Sequence, residues 1–255
     1  MTILDCVTLE RMHGIKRQLL WLLWYWLPEK RCAAIVVISE STRQQVLQYL
    51  HCDPNKVRVI YCNISEEFKP GPRPFNVSRP RLLQIGTTAN KNLVRLAAAL
   101  DGVECELVII GQLSSLQTEA LRQHHVRYEN WVGLSRDALV AQYQRCDMVV
   151  FASTYEGFGL PIVEANAVGR PVVTSKLWSM PEVAGDAACL VDPFDVASIR
   201  AGICRVIDDA AYRERLVENG FENVNRFQIE AIAKQYADLY RSVHARLGNA
   251  CEKSA

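Results

Sequence analysis

The chain has 255 residues, of which 49% are hydrophobic and 22% are charged, and its formal net charge is +1. A chain of this length can bury one sizeable core or two smaller ones, and its charge balance gives no indication of a nucleic-acid partner. The nine cysteines include no C-x-x-C pair, which is typical of a reducing compartment. No basic region suited to a secretory signal follows Met1, so we expect a cytoplasmic protein.

The first distinctive segment is the apolar run Leu19–Leu27, which contains three tryptophans and overlaps a predicted helix, Ile15–Trp26. The run is too short to cross a bilayer, because a transmembrane helix needs about 20 residues. Basic residues flank it on both sides, so the helix could lie peripherally in a membrane interface, on the inner face. It could equally pack against its own domain, and the sequence favours neither alternative.

The next residues predict two strands with a helix between them. The strands are predicted at 33–38 and 57–61, and the helix at 42–50. Ser39 or Ser41 can serve as its N-cap, because a hydroxyl oxygen accepts a hydrogen bond from the first free N–H groups of a helix.

Residues 71–80 are rich in proline and predict a linker, because proline cannot continue a helix or a central strand. From Arg81 onward, apolar runs typical of buried strands alternate with helical patterns. This alternation predicts a parallel sheet with helices on both faces, in which ligands bind beyond the carboxyl ends of the strands. The strands are predicted at 82–85, 107–110, 126–128, 148–151, 172–174 and 188–191, and the helices at 93–100, 116–124, 136–145, 162–168, 199–207, 211–221 and 228–247.

One stretch of this region combines a glycine turn with the start of a helix. It has the sequence YEGFGLPIVE, from Tyr155 to Glu164, and it directly follows the predicted strand 148–151. Gly157 and Gly159 allow sharp backbone turns and a close approach of a ligand to the main chain. The N–H groups at the start of the following helix suit the phosphate of a ligand.

Charged side chains flank this turn. Glu156 lies on the turn, and Glu164 lies about one helical turn into the helix that follows. Because carboxylates accept hydrogen bonds from sugar hydroxyls, the stretch offers partners for both parts of a nucleotide-sugar. Lys91, in the loop that begins at Gly86, could supply a positive charge for the diphosphate.

These residues resemble the signature of a known family. The motif E-G-F-G-L-P-x-x-E, from Glu156 to Glu164, is similar to that of glycosyltransferase family 4, the retaining enzymes of GT-B fold. Segments 169–175 and 180–187 resemble the next two blocks of that family, in the same order and at similar spacing.

The resemblance implies an α/β protein of GT-B type that transfers a hexosyl group, with retention of configuration, from a nucleoside diphosphate-sugar to a glycan or lipid-linked acceptor. It implies neither a cofactor nor a metal ion. Glu156 is the implied catalytic residue and would orient the transferred sugar. Family members usually add an arginine to the loop of Lys91, where this chain has Thr87 or Asn90. The implied donor-binding residues are Gly86, Lys91, Val132 near the base, Glu156, Gly157, Phe158, Gly159, Leu160, and Glu164 at the ribose.

The resemblance also implies a division into domains. Residues 1–70 would be a remnant of the acceptor-side domain, 71–80 a linker, 81–225 the Rossmann-like domain that binds the nucleotide-sugar, and 226–255 a helix and tail that return toward the first part. About 70 residues are too few for a complete doubly wound domain. We therefore expect a truncated N-terminal domain.

Three interpretations stay open. In the first, the chain is a transferase whose missing half is a separate polypeptide, or is encoded upstream of a wrongly assigned start site. A second chain, or a second copy through self-association, is then an expected partner. Alternatively, it is a non-catalytic protein that binds a nucleotide-sugar or a partner. A Rossmann-like dehydrogenase is the third interpretation, and it is disfavoured because residues 85–90 lack the G-x-G-x-x-G motif.

Overall fold

The computed structural model describes residues 1–252, with side chains up to Arg246. The described residues form two compact units. The first unit combines residues 1–63 with those from Phe227 onward, and the second contains residues 64–226.

The N-terminal part of the first unit contains a small sheet of three parallel strands. Its elements are β1 (Thr2–Ile3), α1 (Val7–Arg11), α2 (Gly14–Leu20), α3 (Leu27–Arg31), β2 (Ile35–Val37), α4 (Glu40–Leu50) and β3 (Val57–Val59). The strands lie in the order β1, β2, β3. At the start of α4, the Ser39 hydroxyl oxygen accepts a hydrogen bond from Thr42 N at 3.0 Å, which confirms one of the two predicted caps.

Residues 14–31 form one continuous helical segment of mixed type. Helix α2 passes without a break into a π-helical stretch, Trp21–Trp26, which passes into α3. The side chains of Trp21, Tyr25 and Trp26 pack against the buried core of the unit. Among the described residues, no helix is both long and apolar enough to cross a membrane.

The second unit is organised by a six-stranded parallel sheet. Its elements are β4 (Arg81–Ile85), α5 (Leu93–Ala99), β5 (Glu106–Ile110), α6 (Ser115–Gln123), β6 (Tyr128–Trp131), α7 (Arg136–Arg145), β7 (Met148–Phe151), α8 (Leu160–Val168), β8 (Val172–Ser175), α9 (Met180–Ala184), β9 (Cys189–Val191), α10 (Val196–Asp208) and α11 (Ala210–Val224). The strands lie in the order β6, β5, β4, β7, β8, β9, and every neighbouring pair is parallel. All six carboxyl ends therefore lie at one edge.

Two local predictions in this unit are confirmed in detail. Strand β7 is buried along its whole length, as expected for an apolar run covered by helices on both faces. Helix α8 ends at Gly169, whose φ of +78° lies in the left-handed region. A Cβ atom at Gly169 would lie 2.6 Å from Phe221 Cζ, so both the backbone and the packing favour glycine.

Two other elements differ from the prediction. Strand β6 was predicted at 126–128 but begins at Tyr128, because α6 ends at Gln123 and the chain then turns through His125, which has a φ of +51°. Its side chains are mostly exposed at the edge of the sheet, so the sequence lacks the apolar run that marked the other strands. Helix α9 was not predicted, because five residues with an early proline show no helical periodicity.

The segment before β4 packs within the second unit. The Phe68 ring meets the Tyr143 ring edge-on, with centroids 5.2 Å apart. Arg170 Nη2 donates to Gly71 O at 2.6 Å. Because of these contacts the second unit begins at Ile64, ahead of the predicted linker at 71–80.

The final helix, α12 (Ile229–Glu252), belongs to the first unit. Ile232 is buried together with Val36 and Ile60. Ahead of the helix, the Phe227 ring lies 5.6 Å from that of Tyr61. The helix predicted at 228–247 is therefore present, and it packs with the N-terminal residues.

Candidate functional site

The order of the strands reverses in the middle of the large sheet, between β4 and β7. The chain proceeds from β4 toward one edge of the sheet and from β7 toward the other, so the loops that follow these strands diverge. In open parallel sheets, such a reversal leaves a crevice in which ligands bind. The loop after β4 begins at Gly86, and the loop after β7 leads to the glycine turn before α8.

Two charged side chains from these loops meet at the crevice. Lys91 Nζ lies 2.7 Å from Glu156 Oε1. Asn90 Nδ2 donates to the same oxygen at 3.1 Å and to Tyr155 O at 3.0 Å. Among the described residues, Glu156 Oε2 has no hydrogen-bond partner. The carboxylate is therefore held through one oxygen and offers the other.

The position of Lys91 depends on its neighbours. Gly86 has a φ of +83°, and a Cβ atom there would lie 2.9 Å from Lys91 Cε. On its other side, Lys91 Nζ lies 4.6 Å from the centroid of the Phe151 ring. A side chain at position 86 would thus press on the lysine, which explains why glycine suits this position.

The glycine turn is fixed by a buried serine. Ser179 Oγ lies within donating distance of Glu156 O, at 3.0 Å, and of Phe158 O, at 2.8 Å. Because these carbonyls bracket Gly157, the hydroxyl holds the turn that carries Glu156. Phe158 itself is buried.

Helix α8 begins directly after this turn. Its N-cap, Gly159, has a φ of +108°, and a Cβ atom there would lie 3.1 Å from Ile162 Cδ1. No side chain of the described residues caps the helix. Leu160, the first helical residue, is exposed. The positive end of the helix dipole therefore adjoins the turn without a side-chain acceptor.

Glu164 lies in a second cluster. Its Oε2 accepts a hydrogen bond from the Tyr143 hydroxyl, and its Oε1 lies 3.9 Å from Arg136 Nη1. Only 7% of Glu164 is exposed. Burial raises the pKa of its carboxyl group, while the Tyr143 hydrogen bond and the Arg136 charge oppose that rise. Among the described residues, no hydrogen bond or ion pair joins Glu164 to Lys91 or Glu156.

Arg136 connects this second cluster to the segment before β4. Its Nε donates to Glu67 Oε2 at 2.9 Å, and its guanidinium lies 4.7 Å from the centroid of the Phe68 ring. The same ring packs on Tyr143, the donor to Glu164. Glu164 is thus positioned by a connected set of partners.

Val132 lies at the carboxyl edge of the sheet, directly after β6. Its side chain is exposed, and Gly133 follows with a φ of +67°. A Cβ atom at Gly133 would meet no atom within 4 Å. The main chain here is therefore open to a ligand, although β5 separates β6 from the crevice at β4.

The structure brings Gly86, Lys91 and Glu156 together, and it keeps Glu164 with other partners. Sequence reasoning missed the contacts of Asn90 and Ser179. Asn90 was noted only as a place where related chains have arginine, and Ser179 directly precedes a recognised block. Among the side chains that the structure describes, up to Arg246, no group of three or more His, Cys, Asp or Glu is placed to hold a metal ion. The expected independence of metal ions stays a prediction.

Comparison with known families agrees with this geometry. Residues 65–223 match the family model described as glycosyl transferases group 1. The chain belongs to the group 1 glycosyltransferases. In addition, residues 8–68 of this group 1 chain match the model described as glycosyltransferase family 4, the family that the Glu156–Glu164 motif resembles.

Similar proteins extend the comparison. The O-antigen chain mannosyltransferase B of Escherichia coli is 36% identical over 129 residues, which are 51% of this chain and 33% of that protein. The group 1 chain therefore spans about a third of this curated relative. Sucrose-phosphate synthase from Thermosynechococcus elongatus has a TM-score of 0.80 at 21% identity, over 96% of this chain and 67% of that one. Anabaena HepE, solved with UDP and glucose, has a TM-score of 0.78 at 18% identity, over 94% and 71%. The predicted GT-B type of parallel α/β fold is confirmed.

Proposed function

We propose that this group 1 chain transfers a hexosyl group from a nucleoside diphosphate-sugar to a glycan or lipid-linked acceptor, with retention of configuration, as a step in polysaccharide synthesis. The observation that carries the proposal is the Lys91–Glu156 pair, where the loops after β4 and β7 diverge and beside the start of α8. A cation and helix N–H groups suit a diphosphate, and a carboxylate suits sugar hydroxyls.

Lys91 and the start of α8 would bind the diphosphate. An ammonium group has three donors, of which Glu156 uses one, so two are available to phosphate oxygens. The diphosphate gains negative charge as it leaves the sugar, and groups already aimed at that charge lower the barrier most effectively. In this proposal, Lys91 and the N–H groups at the start of α8 take the place of a metal ion.

Glu156 would orient the transferred sugar. Lys91 and Asn90 both donate to its Oε1, so the carboxylate is fixed before the sugar arrives. Its Oε2 can then accept hydrogen bonds from sugar hydroxyls. Fixing the reacting groups in advance removes part of the entropic cost of reaching the transition state.

Glu164 would hold the ribose. The Tyr143 hydroxyl occupies Oε2 and fixes the carboxylate, and Oε1 is available to a ribose hydroxyl. Main-chain groups from Gly157 to Leu160 would contact the phosphates, and those at Val132 would contact the base. The structure of HepE with UDP and glucose supports a donor of this class.

Titration calorimetry with the 255-residue chain tests this proposal. The titrants are UDP and GDP, with and without an attached hexose, in the presence of a metal chelator. We expect binding of at least one nucleoside diphosphate at millimolar concentration or below. Lys91→Ala should weaken it about 10- to 100-fold, because hydrogen bonds to charged groups contribute about 1.5–3 kcal/mol.

Lys234→Ala, which removes an exposed lysine on α12, is the control and should leave binding unchanged. Absence of binding by every nucleoside diphosphate and diphosphate-sugar would contradict the proposal. Binding that depends on added metal would contradict its charge-stabilising part.

A further inference from the structure

The helical segment 14–31 presents an apolar face to its surroundings. Ile15, Leu19 and Leu23 follow one another at intervals of four residues and therefore share one side of the helix. Leu22 and Trp24 adjoin them. All five side chains are exposed, Trp24 by 72%. We call these five residues the outer face.

The orientation of the outer face is fixed by the opposite side of the same segment. Trp21 Nε1 donates to Tyr49 O at 2.9 Å, and the Trp21 ring lies 6.3 Å from that of Trp26. Tyr25 OH donates to Asp5 O at 3.4 Å. Rotating the segment to hide the outer face would break these contacts and expose aromatic rings instead.

Basic side chains flank the outer face along the chain. Residues 11–31 contain five arginines and lysines but only one carboxylate, Glu29. Glu29 is buried, and it pairs with Lys56 at 3.0 Å and with Lys30 at 3.1 Å. Among the described residues, no carboxylate pairs with the exposed side chains of Arg11, Lys16 and Arg31. The outer face thus lies on a segment that carries positively charged residues toward both ends.

We propose that the outer face docks on the surface of a bilayer that contains anionic lipids. Apolar side chains would enter the boundary of the acyl chains, and the flanking cations would meet lipid phosphates. The segment would lie along the surface, since no described helix can cross a bilayer. This inference does not depend on the proposed sugar transfer.

Charge favours a bilayer over a second copy of the chain. A two-fold symmetric dimer through this face would bring the same patch of each copy together. The cations that flank one outer face would then lie opposite those that flank the other, and like charges at an interface are unfavourable. An anionic surface turns the same charges into an attraction.

Co-sedimentation with vesicles tests the proposal. We expect the chain to bind vesicles of phosphatidylcholine mixed with phosphatidylglycerol, and to bind vesicles of phosphatidylcholine alone much more weakly. High salt should weaken binding, because the screening length falls from about 10 Å at 0.1 M to about 3 Å at 1 M. Failure to bind the anionic vesicles at low salt would overturn the proposal.

Two variants separate the apolar and the electrostatic contributions. Leu23→Ser with Trp24→Ser should weaken binding about tenfold or more, since both side chains leave the acyl boundary. Lys16→Gln with Arg31→Gln should weaken it about fivefold per charge removed, and should reduce its salt dependence. The matched controls, Val77→Ser with Leu116→Ser and Arg127→Gln with Lys234→Gln, change exposed side chains elsewhere and should bind normally.

Competing results are distinguishable. Equal binding by the outer-face variants and their controls would overturn the proposal. The proposal would also be overturned if the chain self-associates but does not bind vesicles, and if Leu23→Ser with Trp24→Ser abolishes the self-association. That result would assign the outer face to a second copy of the chain. Thermal unfolding followed by circular dichroism verifies folding. If the apolar variant does not fold, the charge variant and the salt series decide.

Discussion

The two carboxylates of the glycine-turn motif occupy opposite environments, although they come from one short stretch of chain. Glu156 is held by a lysine and an asparagine at the crevice and keeps one oxygen without a partner among the described residues. Glu164 is almost fully buried and accepts a hydrogen bond from Tyr143. The comparison shows that two carboxylates of one motif are suited to different tasks in the proposed function. Glu156 suits contact with the transferred sugar, whose bonds change during the reaction. Glu164 suits contact with the nucleotide, which is only held.

The largest expected effect comes from Glu156→Gln. The substitution keeps the shape but removes the charge that would orient the sugar, so turnover of the diphosphate-sugar should fall about 100- to 1000-fold, as for loss of one pre-aimed stabilising group. Binding of the nucleoside diphosphate should persist, because Lys91 stays in place. Turnover is measured as release of the nucleoside diphosphate, with the missing half supplied as a second polypeptide where the chain alone is inactive, and with Glu119→Gln on α6 as the control. Wild-type turnover in Glu156→Gln would refute the catalytic role.

An intermediate effect is expected from Glu164→Ala. Loss of a charged acceptor for the ribose should weaken nucleoside diphosphate binding about 10- to 100-fold, which corresponds to about 1.5–3 kcal/mol. Calorimetry measures this change. Glu164→Gln keeps an acceptor and should lose less affinity. Undiminished binding in a folded Glu164→Ala protein would show that this carboxylate serves packing only.

The smallest effect concerns stability as a function of pH. Because burial raises the pKa of Glu164 above its ordinary value of 4.5, the group contributes stability below that value and loses it as pH rises through the folded-state pKa. Relative to Glu164→Gln, the wild type should therefore become less stable as pH rises. Urea unfolding across the acidic range measures the difference.

Glu119 provides a control of opposite sign. The Arg122 side chain lowers the pKa of this exposed carboxyl group. Relative to Glu119→Gln, the wild type should therefore lose stability as pH falls. The same direction of change for both positions would contradict the assignment of Glu164 to a buried environment.

The sequence predicted the crevice because parallel strands place their carboxyl ends at one edge. Once strand 148–151 and the turn at Gly157 were recognised, the rule for such sheets was enough to bring Lys91 and Glu156 to that edge. It could not predict that Asn90 shares the same carboxylate oxygen, because that contact joins loops far apart in the chain.

The sequence could not predict which residues surround Glu164, for a related reason. Helical periodicity places Glu164 on α8, but its hydrogen-bond donor, Tyr143, lies on α7. Only the packing of these two helices decides that the carboxylate is buried. The aromatic segment was undecided for the same reason, since composition does not show which tryptophans face the core.

The central claim is that Glu156 contacts the sugar and Glu164 the nucleotide. Parallel calorimetric titrations of a nucleoside diphosphate and its hexose-bearing form, with the wild type, Glu156→Gln and Glu164→Ala, test it most directly. We expect Glu156→Gln to remove only the difference in affinity between the two ligands, and Glu164→Ala to weaken both by the same factor. The claim is contradicted if Glu156→Gln weakens both ligands equally, or if Glu164→Ala affects only the sugar-bearing one.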